Sequence, residues 1–287
     1  MLAAGIPRAR RILREFAPDV AIGTGGYTTA AVLIAQRSLG GKIVIHEQNA
    51  VPGRTNRFLS IIADRVCVTF NSSADYFSAK KVVVTGMPIR QEFAALPEKI
   101  EARSRLGLKV DAFTILVIGG SQGARRLNEL MFYAWPMLND GATQVIHQVG
   151  DRNIEQARSF AGELGPLYRV ESYVDTPLAM AAADLVVCRS GASTLAEITA
   201  VGLPSIQVPY PYAYADHQKK NAEYLVSRGA AILCEEQSCT SEHLADLIRD
   251  LRSNPEKLRA MASASHAMGR LGAARTVAEV ALSLAGK

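Results

Sequence analysis

The sequence lacks the signatures of a metal site and of a membrane span. Its 287 residues contain no Asp-x-Asp, no His-x-x-x-His and no Cys and His cluster at metal-ligand spacing, so we expect neither a metal nor another cofactor. No stretch approaches the roughly 20 apolar residues that a membrane-spanning helix needs. The first residues do not form the apolar core of a secretory signal, and we therefore expect a cytoplasmic protein.

Cysteine is also sparse, and the excess of positive charge is mild. The four cysteines form no Cys-x-x-Cys pair, and we interpret all of them as reduced packing residues of a cytosolic protein: Cys67, Cys188, Cys234 and Cys239. The formal net charge of +5 suits a phosphate-rich ligand or an anionic membrane surface as well as nucleic acid. Charge alone does not discriminate among these partners.

Short runs rich in Val and Ile alternate with segments of helical period, which predicts an α/β fold with parallel sheets. A first series of four strands is separated from a second series of six by Gly and Pro residues near 88–100. The predicted strands are 20–22, 43–45, 65–68, 82–84, 114–118, 144–147, 168–171, 185–188, 205–208 and 231–233. We divide the chain into a first domain (1–88), a second domain (89–265) and a C-terminal helix (266–287) that returns to the first domain. Two such domains would bind a ligand in the cleft at the carboxyl ends of their strands.

Three glycine-containing loops, 23–29, 119–125 and 189–197, each join a predicted strand to a predicted helix. Backbone N–H groups at a helix N-terminus bind anions, and three such loops together indicate a diphosphate ligand, although one alone could be only a tight turn. Ser121 could donate its hydroxyl to a phosphate, and Ser193 or Thr194 could cap the third helix. Glu197, about one turn inside that helix, could accept hydrogen bonds from a ribose diol.

A dehydrogenase is the obvious competitor, because Glu47 stands at a strand end where a ribose-binding acid would lie. The dinucleotide fingerprint is incomplete, however: Gly23 and Gly25 would need a glycine where Thr28 stands, and Ser121 replaces the middle glycine of the second loop. We therefore favour a nucleotide diphosphate whose charge, without a metal, is met by helix N-termini and a cation such as Arg90.

Several blocks of sequence resemble the MurG family of glycosyltransferases, in the family's order and at its spacing. They are GTGGY (23–27), HEQNAVPGRTN (46–56), GGSQGA (119–124), CRSGA (188–192), and DHQ (216–218) with Asn221. The resemblance covers the whole chain and implies a GT-B fold of two Rossmann-like domains. It also implies an inverting transfer of N-acetylglucosamine from UDP-N-acetylglucosamine to the C4 hydroxyl of a muramyl-pentapeptide linked to undecaprenyl diphosphate, in peptidoglycan synthesis.

The resemblance also assigns roles to individual residues. Asn49 and Gln218 match contacts to the sugar, and Arg90 matches a contact to the donor nucleotide. Val174 matches a residue whose backbone reads uracil, with its neighbour Tyr173 as an alternative. The loop of Gly25, Gly26 and Tyr27 would bind the acceptor diphosphate. The diphosphate and ribose of the donor would be bound by Ser121, Ala192, Ser193, Thr194, Leu195, Ala196 and Glu197.

The sequence departs from the family at its start. Family members begin with a strand and a GGTGGH loop, whose histidine is thought to help activate the acceptor hydroxyl, and a further segment precedes the position of Met1. We therefore expect a truncated first domain with an unassigned general base, for which Tyr27, His46 and Glu47 are candidates. The chain is then either a transferase that has lost its N-terminus or a UDP-sugar-binding subunit or inactive fragment that needs a separate chain to complete the acceptor site.

The first predicted helix, residues 7–16, is basic and amphipathic. Ile6, Ala9, Leu13 and Phe16 lie along one stripe with the arginines largely elsewhere. Such a helix can lie on an anionic membrane or can pack its stripe on the sheet. With a membrane-bound acceptor, we expect a peripheral protein on the cytoplasmic face of the plasma membrane and no binding to nucleic acid.

Overall fold

The chain folds into two compact units, one formed by Met1–Ile89 with Arg270–Lys287 and the other by Arg90–Gly269. The computed structural model describes residues 2–120 and 123–286, apart from the side chains of residues 2, 3 and 161–163. Both units are α/β, as the alternating pattern predicts.

The first unit contains a parallel sheet of four strands in the order β1-β2-β3-β4. Its strands are β1 (Val20–Gly23), β2 (Lys42–Glu47), β3 (Arg65–Val68) and β4 (Val82–Val84). Its helices are α1 (Leu2–Phe16), α2 (Tyr27–Ser38), α3 (Arg54–Leu59), a 3₁₀ helix (Asn71–Tyr76) and α12 (Ala273–Ala285). Successive residues of β2 face opposite sides, so Ile43 and Ile45 pack with Leu33 of α2 whereas Val44 packs with Val277 of α12.

The second unit contains a parallel sheet of six strands in the order β10-β9-β8-β5-β6-β7. Its strands are β5 (Phe113–Ile118), β6 (Thr143–Gln148), β7 (Tyr168–Glu171), β8 (Leu185–Cys188), β9 (Ser205–Gln207) and β10 (Ala231–Leu233). Its helices are α4 (Lys99–Arg105), α5 (Arg125–Ala134), α6 (Ile154–Leu164), α7 (Thr176–Ala182), α8 (Ala192–Val201), α9 (His217–Val226), α10 (Ser241–Ser253) and α11 (Pro255–Ala267). Three 3₁₀ helices span Gln91–Ala94, Trp135–Met137 and Tyr214–Asp216.

Strand order reverses between β5 and β8, since the chain proceeds from β5 to β6 and β7 on one side and from β8 to β9 and β10 on the other. In a doubly wound sheet this reversal opens a crevice at the carboxyl ends of the two central strands. The loops that follow β5 and β8 are two of the three predicted anion-binding loops.

All ten predicted strands are confirmed, with each end within two residues of its predicted position. The capping prediction for the third loop is wrong. Gly191 is the N-cap of α8, and among the described residues no side chain caps the helix. The extended backbone of Gly191 lets the helix begin at Ala192, so Ser193 and Thr194 already lie in its first turn.

The prediction of four reduced cysteines is wrong for one pair, because Cys234 and Cys239 form a disulfide. A turn after β10, in which Cys239 N–H donates to Glu235 O at 2.8 Å, brings the two Cα atoms to 5.8 Å, within the range that a disulfide spans. Cys67 and Cys188 are buried free thiols, as predicted.

Helix α1 packs along α2 with Leu13 buried, while Ile12 and Phe16 remain exposed. The stripe predicted from the sequence is therefore only partly covered. Among the described residues, no helix is both long and apolar enough to span a bilayer.

Candidate functional site

The loop after β5 approaches the end of β6 very closely. At Gly123, where φ is +74°, an added Cβ would lie 2.1 Å from Val149 O, so only glycine fits. Gly119 and Gly120 begin this loop, and Ser121 lies outside the described residues. The close approach fixes the turn between β5 and α5 against the end of β6.

The loop after β8 leads into the N-terminus of α8 at the same crevice. Arg189 N–H donates to Ile118 O at 3.2 Å, which ties this loop to the end of β5. The first N–H groups of a helix have no acceptor within the helix, so those at Ala192, Ser193 and Thr194 can bind an anion. Ser193 is exposed and Thr194 half-buried, whereas Leu195 packs in the core and Ala196 is half-buried.

Glu197, in the second turn of α8, pairs with Arg90. The Arg90 guanidinium lies 3.7 Å from Glu197 Oε1, and its Cζ lies 5.4 Å from the centre of the Phe93 ring. Burial raises the pKa of Glu197 above its ordinary value, and the charge of Arg90 opposes that shift. The pair offers a hydrogen-bond acceptor for hydroxyl groups beside a cation for phosphate.

Gln218 and Asn221 project from α9 toward the loops after β9 and β8. Gln218 Oε1 accepts a hydrogen bond from Tyr210 N–H at 2.9 Å, which fixes the side-chain amide so that its nitrogen can donate to a ligand. Asn221 is buried, and its Nδ2 donates to Ser190 O at 3.1 Å. The buried Ser190 Oγ has no hydrogen-bond partner among the described residues.

Val174 lies between β7 and α7 with its side chain buried, so only its backbone could contact a base. Asp175 Oδ1 caps α7 by accepting from Leu178 N–H at 3.3 Å. The neighbouring Tyr173 is exposed, and a role for its side chain stays an alternative prediction.

In the first unit, Glu47 organises the loop between β2 and α3. The side chain is buried, with Oε1 accepting from Asn49 N–H at 2.9 Å. Its Oε2 accepts from Gly53 N–H at 3.2 Å and from Asn56 Nδ2 at 2.8 Å. These bonds engage both carboxylate oxygens and favour a structural role for Glu47. Asn49, the predicted sugar contact, is half-buried in this loop.

His46 is also buried, and its Nε2 donates to Gly86 O at 2.9 Å. Burial lowers the pKa of His46, against smaller opposing effects of the bond to Gly86 and of the charge on Glu47. The imidazole is therefore neutral at physiological pH, with Nδ1 unprotonated.

Tyr27 differs from the other two base candidates because its side chain is 88% exposed. It begins α2 directly after Gly25 and Gly26, whose φ angles are +96° and +85°. Thr29 Oγ1 donates to Gly25 O at 2.6 Å and stabilises this turn. Tyr27 is thus the candidate whose hydroxyl can reach a bound molecule, and the identity of the base stays a prediction.

The sequence analysis did not predict two sets of polar contacts, those of Asn56 and those of Arg189. Asn56 Nδ2 donates to His46 O at 3.2 Å as well as to Glu47, and Asn56 Oδ1 is buried without a hydrogen-bond partner among the described residues. Arg189 forms an ion pair with Glu236. Asn56 and Arg189 lie inside recognised blocks, but nothing in the sequence singles out Glu236. Within the described residues, no three His, Cys, Asp or Glu side chains gather as a metal site would require.

Residues 2–68 match the Glycosyltransferase family 28 N-terminal domain, and residues 114–277 match the Glycosyltransferase family 28 C-terminal domain. A protein of Geobacter sulfurreducens named UDP-N-acetylglucosamine--N-acetylmuramyl-(pentapeptide) pyrophosphoryl-undecaprenol N-acetylglucosamine transferase is 41% identical over 278 residues, covering 96% of this chain and 76% of that protein. A protein of the same name from Desulforamulus reducens is 42% identical, covering 93% and 74%. The crystal structure of Acinetobacter baumannii MurG superposes with a TM-score of 0.80 at 32% identity, covering 96% of this chain and 77% of that one. The chain belongs to the MurG family.

A more distant likeness shows the fold alone. The UDP-GlcNAc 2-epimerase of Neisseria meningitidis, solved bound to UDP-GlcNAc, superposes with a TM-score of 0.74 at 13% identity, covering 98% of this chain and 81% of that one. The predicted GT-B fold is confirmed by the family match and by the A. baumannii structure.

Proposed function

We propose that the chain transfers N-acetylglucosamine from UDP-N-acetylglucosamine to a muramyl-pentapeptide linked through diphosphate to undecaprenol. The observation that carries the proposal is the pairing of Glu197 with Arg90 beside the N-terminus of α8, at the switch point of the second unit. The names of relatives about 40% identical supply the substrates.

For the donor, the N–H groups of Ala192 to Thr194 and the loop after β5 would hold the diphosphate, where helix N-termini offset its charge. Glu197 would accept hydrogen bonds from the ribose hydroxyls, Arg90 would donate to a phosphate, and the Gln218 amide would contact the sugar. The backbone at Val174 would read uracil. This arrangement needs no metal.

For the reaction, we propose a direct displacement. The acceptor C4 oxygen forms a bond to the anomeric carbon as the bond to the UDP oxygen breaks, which inverts that centre. The hydroxyl proton passes to a general base, and UDP leaves as an anion stabilised by the α8 N-terminus. Of the candidates, Tyr27 has the required exposure, so the variant to make first is Tyr27→Phe.

For the membrane, we propose contact through α1 and its neighbours on the cytoplasmic face. A cavity of about 870 Å³ in the first unit is lined mainly by apolar side chains of α1, α2 and α3, including Ile12, Val32 and Phe58. Arg8 and Arg54 also line it, so an apolar surface carries a basic rim. This combination suits an anionic membrane that presents a lipid-linked acceptor.

The donor site is tested by calorimetry with UDP. Glu197→Ala should weaken binding by about 1 to 3 kcal/mol, because the ribose hydroxyls lose their acceptor. Glu256→Ala, which removes an exposed glutamate of α11, is the matched control and should bind as the parent does. Affinity should be the same with EDTA present. Unchanged affinity in folded Glu197→Ala would contradict the assignment of this site.

Transfer is tested with labelled UDP-N-acetylglucosamine and the lipid-linked acceptor in vesicles. Formation of disaccharide-linked lipid supports the proposal, whereas UDP binding without any transfer would indicate a UDP-sugar-binding subunit. Sedimentation with anionic and with neutral vesicles tests the membrane surface, and equal binding to both would contradict the role of the basic rim.

A further inference from the structure

The loop between β10 and α10 is a short covalent ring closed by the Cys234–Cys239 disulfide. Cys234 N–H donates to Gln207 O at 2.9 Å, which anchors the ring to the end of β9. Cys239 N–H and Ser238 N–H both donate to Glu235 O, at 2.8 and 3.0 Å. The ring is therefore tied to the sheet at one end and folded on itself at the other.

Glu236 projects from this ring onto Arg189, and the ion pair is largely removed from solvent. The exposed fractions of the Arg189 and Glu236 side chains are 11% and 12%. Arg189 Nη1 also donates to Val208 O at 2.9 Å, and its Cζ lies 5.6 Å from the centre of the Tyr210 ring. One guanidinium thus connects the segments that follow β8, β9 and β10.

Arg189 is connected to the candidate donor site in two ways, through the residues that follow it in the chain and through Tyr210. Arg189 directly precedes Ser190 and Gly191, which lead into the N-terminus of α8. Tyr210, under the guanidinium, donates its N–H to Gln218 Oε1. A shift of Arg189 would therefore move the diphosphate-binding turn and the sugar-contacting amide together.

We propose that Glu236 is a positioning residue for donor binding and that the Cys234–Cys239 disulfide holds it against Arg189, so that donor affinity depends on the oxidation state of this cysteine pair. The inference rests on the proposed donor site in the second unit. Loss of the Glu236 charge leaves a largely buried guanidinium without its counterion, which is an unfavourable state that the loop can relieve only by moving.

The redox step is a thiol–disulfide exchange with a dithiol such as dithiothreitol. The S–S bond breaks, two electrons and two protons pass to the protein sulfurs, and the reagent closes its own disulfide. The products are the Cys234 and Cys239 thiols, and the ring between them opens.

The test measures the Kd of UDP by calorimetry for oxidised protein, for dithiothreitol-reduced protein and for Cys234→Ala/Cys239→Ala, with thiols counted by alkylation and mass spectrometry. We expect reduction and the double variant to weaken UDP binding about three- to tenfold, and Glu236→Gln to weaken it about tenfold. Glu235→Gln is the matched control, since Glu235 pairs with Lys219 where both side chains are about half exposed, and it should change Kd by less than about twofold.

The decisive measurement is whether reduction of the disulfide and the Glu236→Gln substitution have additive effects on the Kd of UDP. If Glu236 transmits the effect of the disulfide, reduction of Glu236→Gln should change Kd by less than about twofold. A redox effect that persists in full in Glu236→Gln would overturn the role of Glu236. Equal Kd for oxidised and reduced parent protein would overturn the redox dependence without any substitution. Absence of UDP binding in every state would instead contradict the proposed donor site.

Discussion

In each unit, buried polar side chains form hydrogen bonds to the backbone next to a glycine loop. These side chains are charged in the first unit and neutral in the second. In the first unit the carboxylate of Glu47 gathers the loop that lies beside Gly25. In the second, a neutral chain leads from Tyr168 O–H through His147 and Asn128 to Val149 O, the atom closest to a Cβ added at Gly123. Because Asn128 Nδ2 donates to Val149 O, its Oδ1 accepts from His147 Nε2, and His147 Nδ1 accepts from Tyr168.

The difference teaches that the turn at Gly123 depends on available space, whereas the segment beside Gly25 depends on the charge of Glu47. The second-unit loop lies against the backbone of Val149, just after β6, and has no space for an added atom at Gly123. At Gly26 of the first-unit loop an added Cβ meets no described atom within 4 Å. The neighbouring segment of residues 47–56, which contacts Gly25 through Asn56, directs its hydrogen bonds to one carboxylate, that of Glu47.

The largest expected effect comes from filling the tighter loop. Gly123→Ala places Cβ against Val149 O at positive φ and should lower the free energy of unfolding by about 3 kcal/mol or more. At Gly26, where φ is +85° and ψ is +161°, an added Cβ meets no described atom within 4 Å, so Gly26→Ala should lower it by about 2 kcal/mol through backbone strain alone. Urea unfolding of both variants checks the comparison, and equal losses would refute it.

Removal of the buried carboxylate should come next. Glu47→Ala strands the donors of Asn49, Gly53 and Asn56 and should cost about 3 kcal/mol of stability by chemical denaturation. The exposed Glu15, also in the first unit, gives the control variant Glu15→Ala. A Glu47→Ala protein of parental stability that has lost only transfer activity would instead assign Glu47 to catalysis.

Acid should destabilise the second unit because His147 is buried there in its neutral form. Burial lowers the pKa of His147 from 6.5 to about 3, so between these values the unfolded chain binds a proton that the folded one does not. Stability should therefore fall as pH drops below 6.5, by about 1.4 kcal/mol for each pH unit, and level off near pH 3. Denaturation at a series of pH values should show this slope in the parent and in His243→Gln, which alters an exposed histidine, but not in His147→Leu. The same slope in His147→Leu would assign it to other groups.

The smallest effect concerns ligand affinity. Burial raises the pKa of Glu197 above 4.5, and only the ionised carboxylate has both oxygens ready to accept from ribose. Affinity for UDP-N-acetylglucosamine should thus weaken as pH falls through the raised pKa, by no more than about tenfold for each pH unit. Calorimetry should find no such weakening in Glu197→Gln, and an identical pH profile would contradict the role of Glu197.

The sequence by itself determined the strands and the positions of the glycine loops. Short β-branched runs predict the ten strands because such side chains suit a sheet that is covered on both faces. Glycines between strand and helix predict the loops at 25–26 and 119–123, because a tight turn requires glycine at particular positions in the sequence. The recognised blocks also identified the family correctly.

Only the tertiary structure decided which side chains meet. Arg90 with Glu197, Arg189 with Glu236 and Cys234 with Cys239 are pairs whose members show no common local pattern. The tertiary structure also decided which candidate bases are accessible, since His46 and Glu47 are buried at the end of β2 whereas Tyr27 is exposed. Local sequence fixes the conformation of a segment, whereas contacts between distant segments depend on how the helices and strands pack together, and that is why these pairs could not be read from the chain alone.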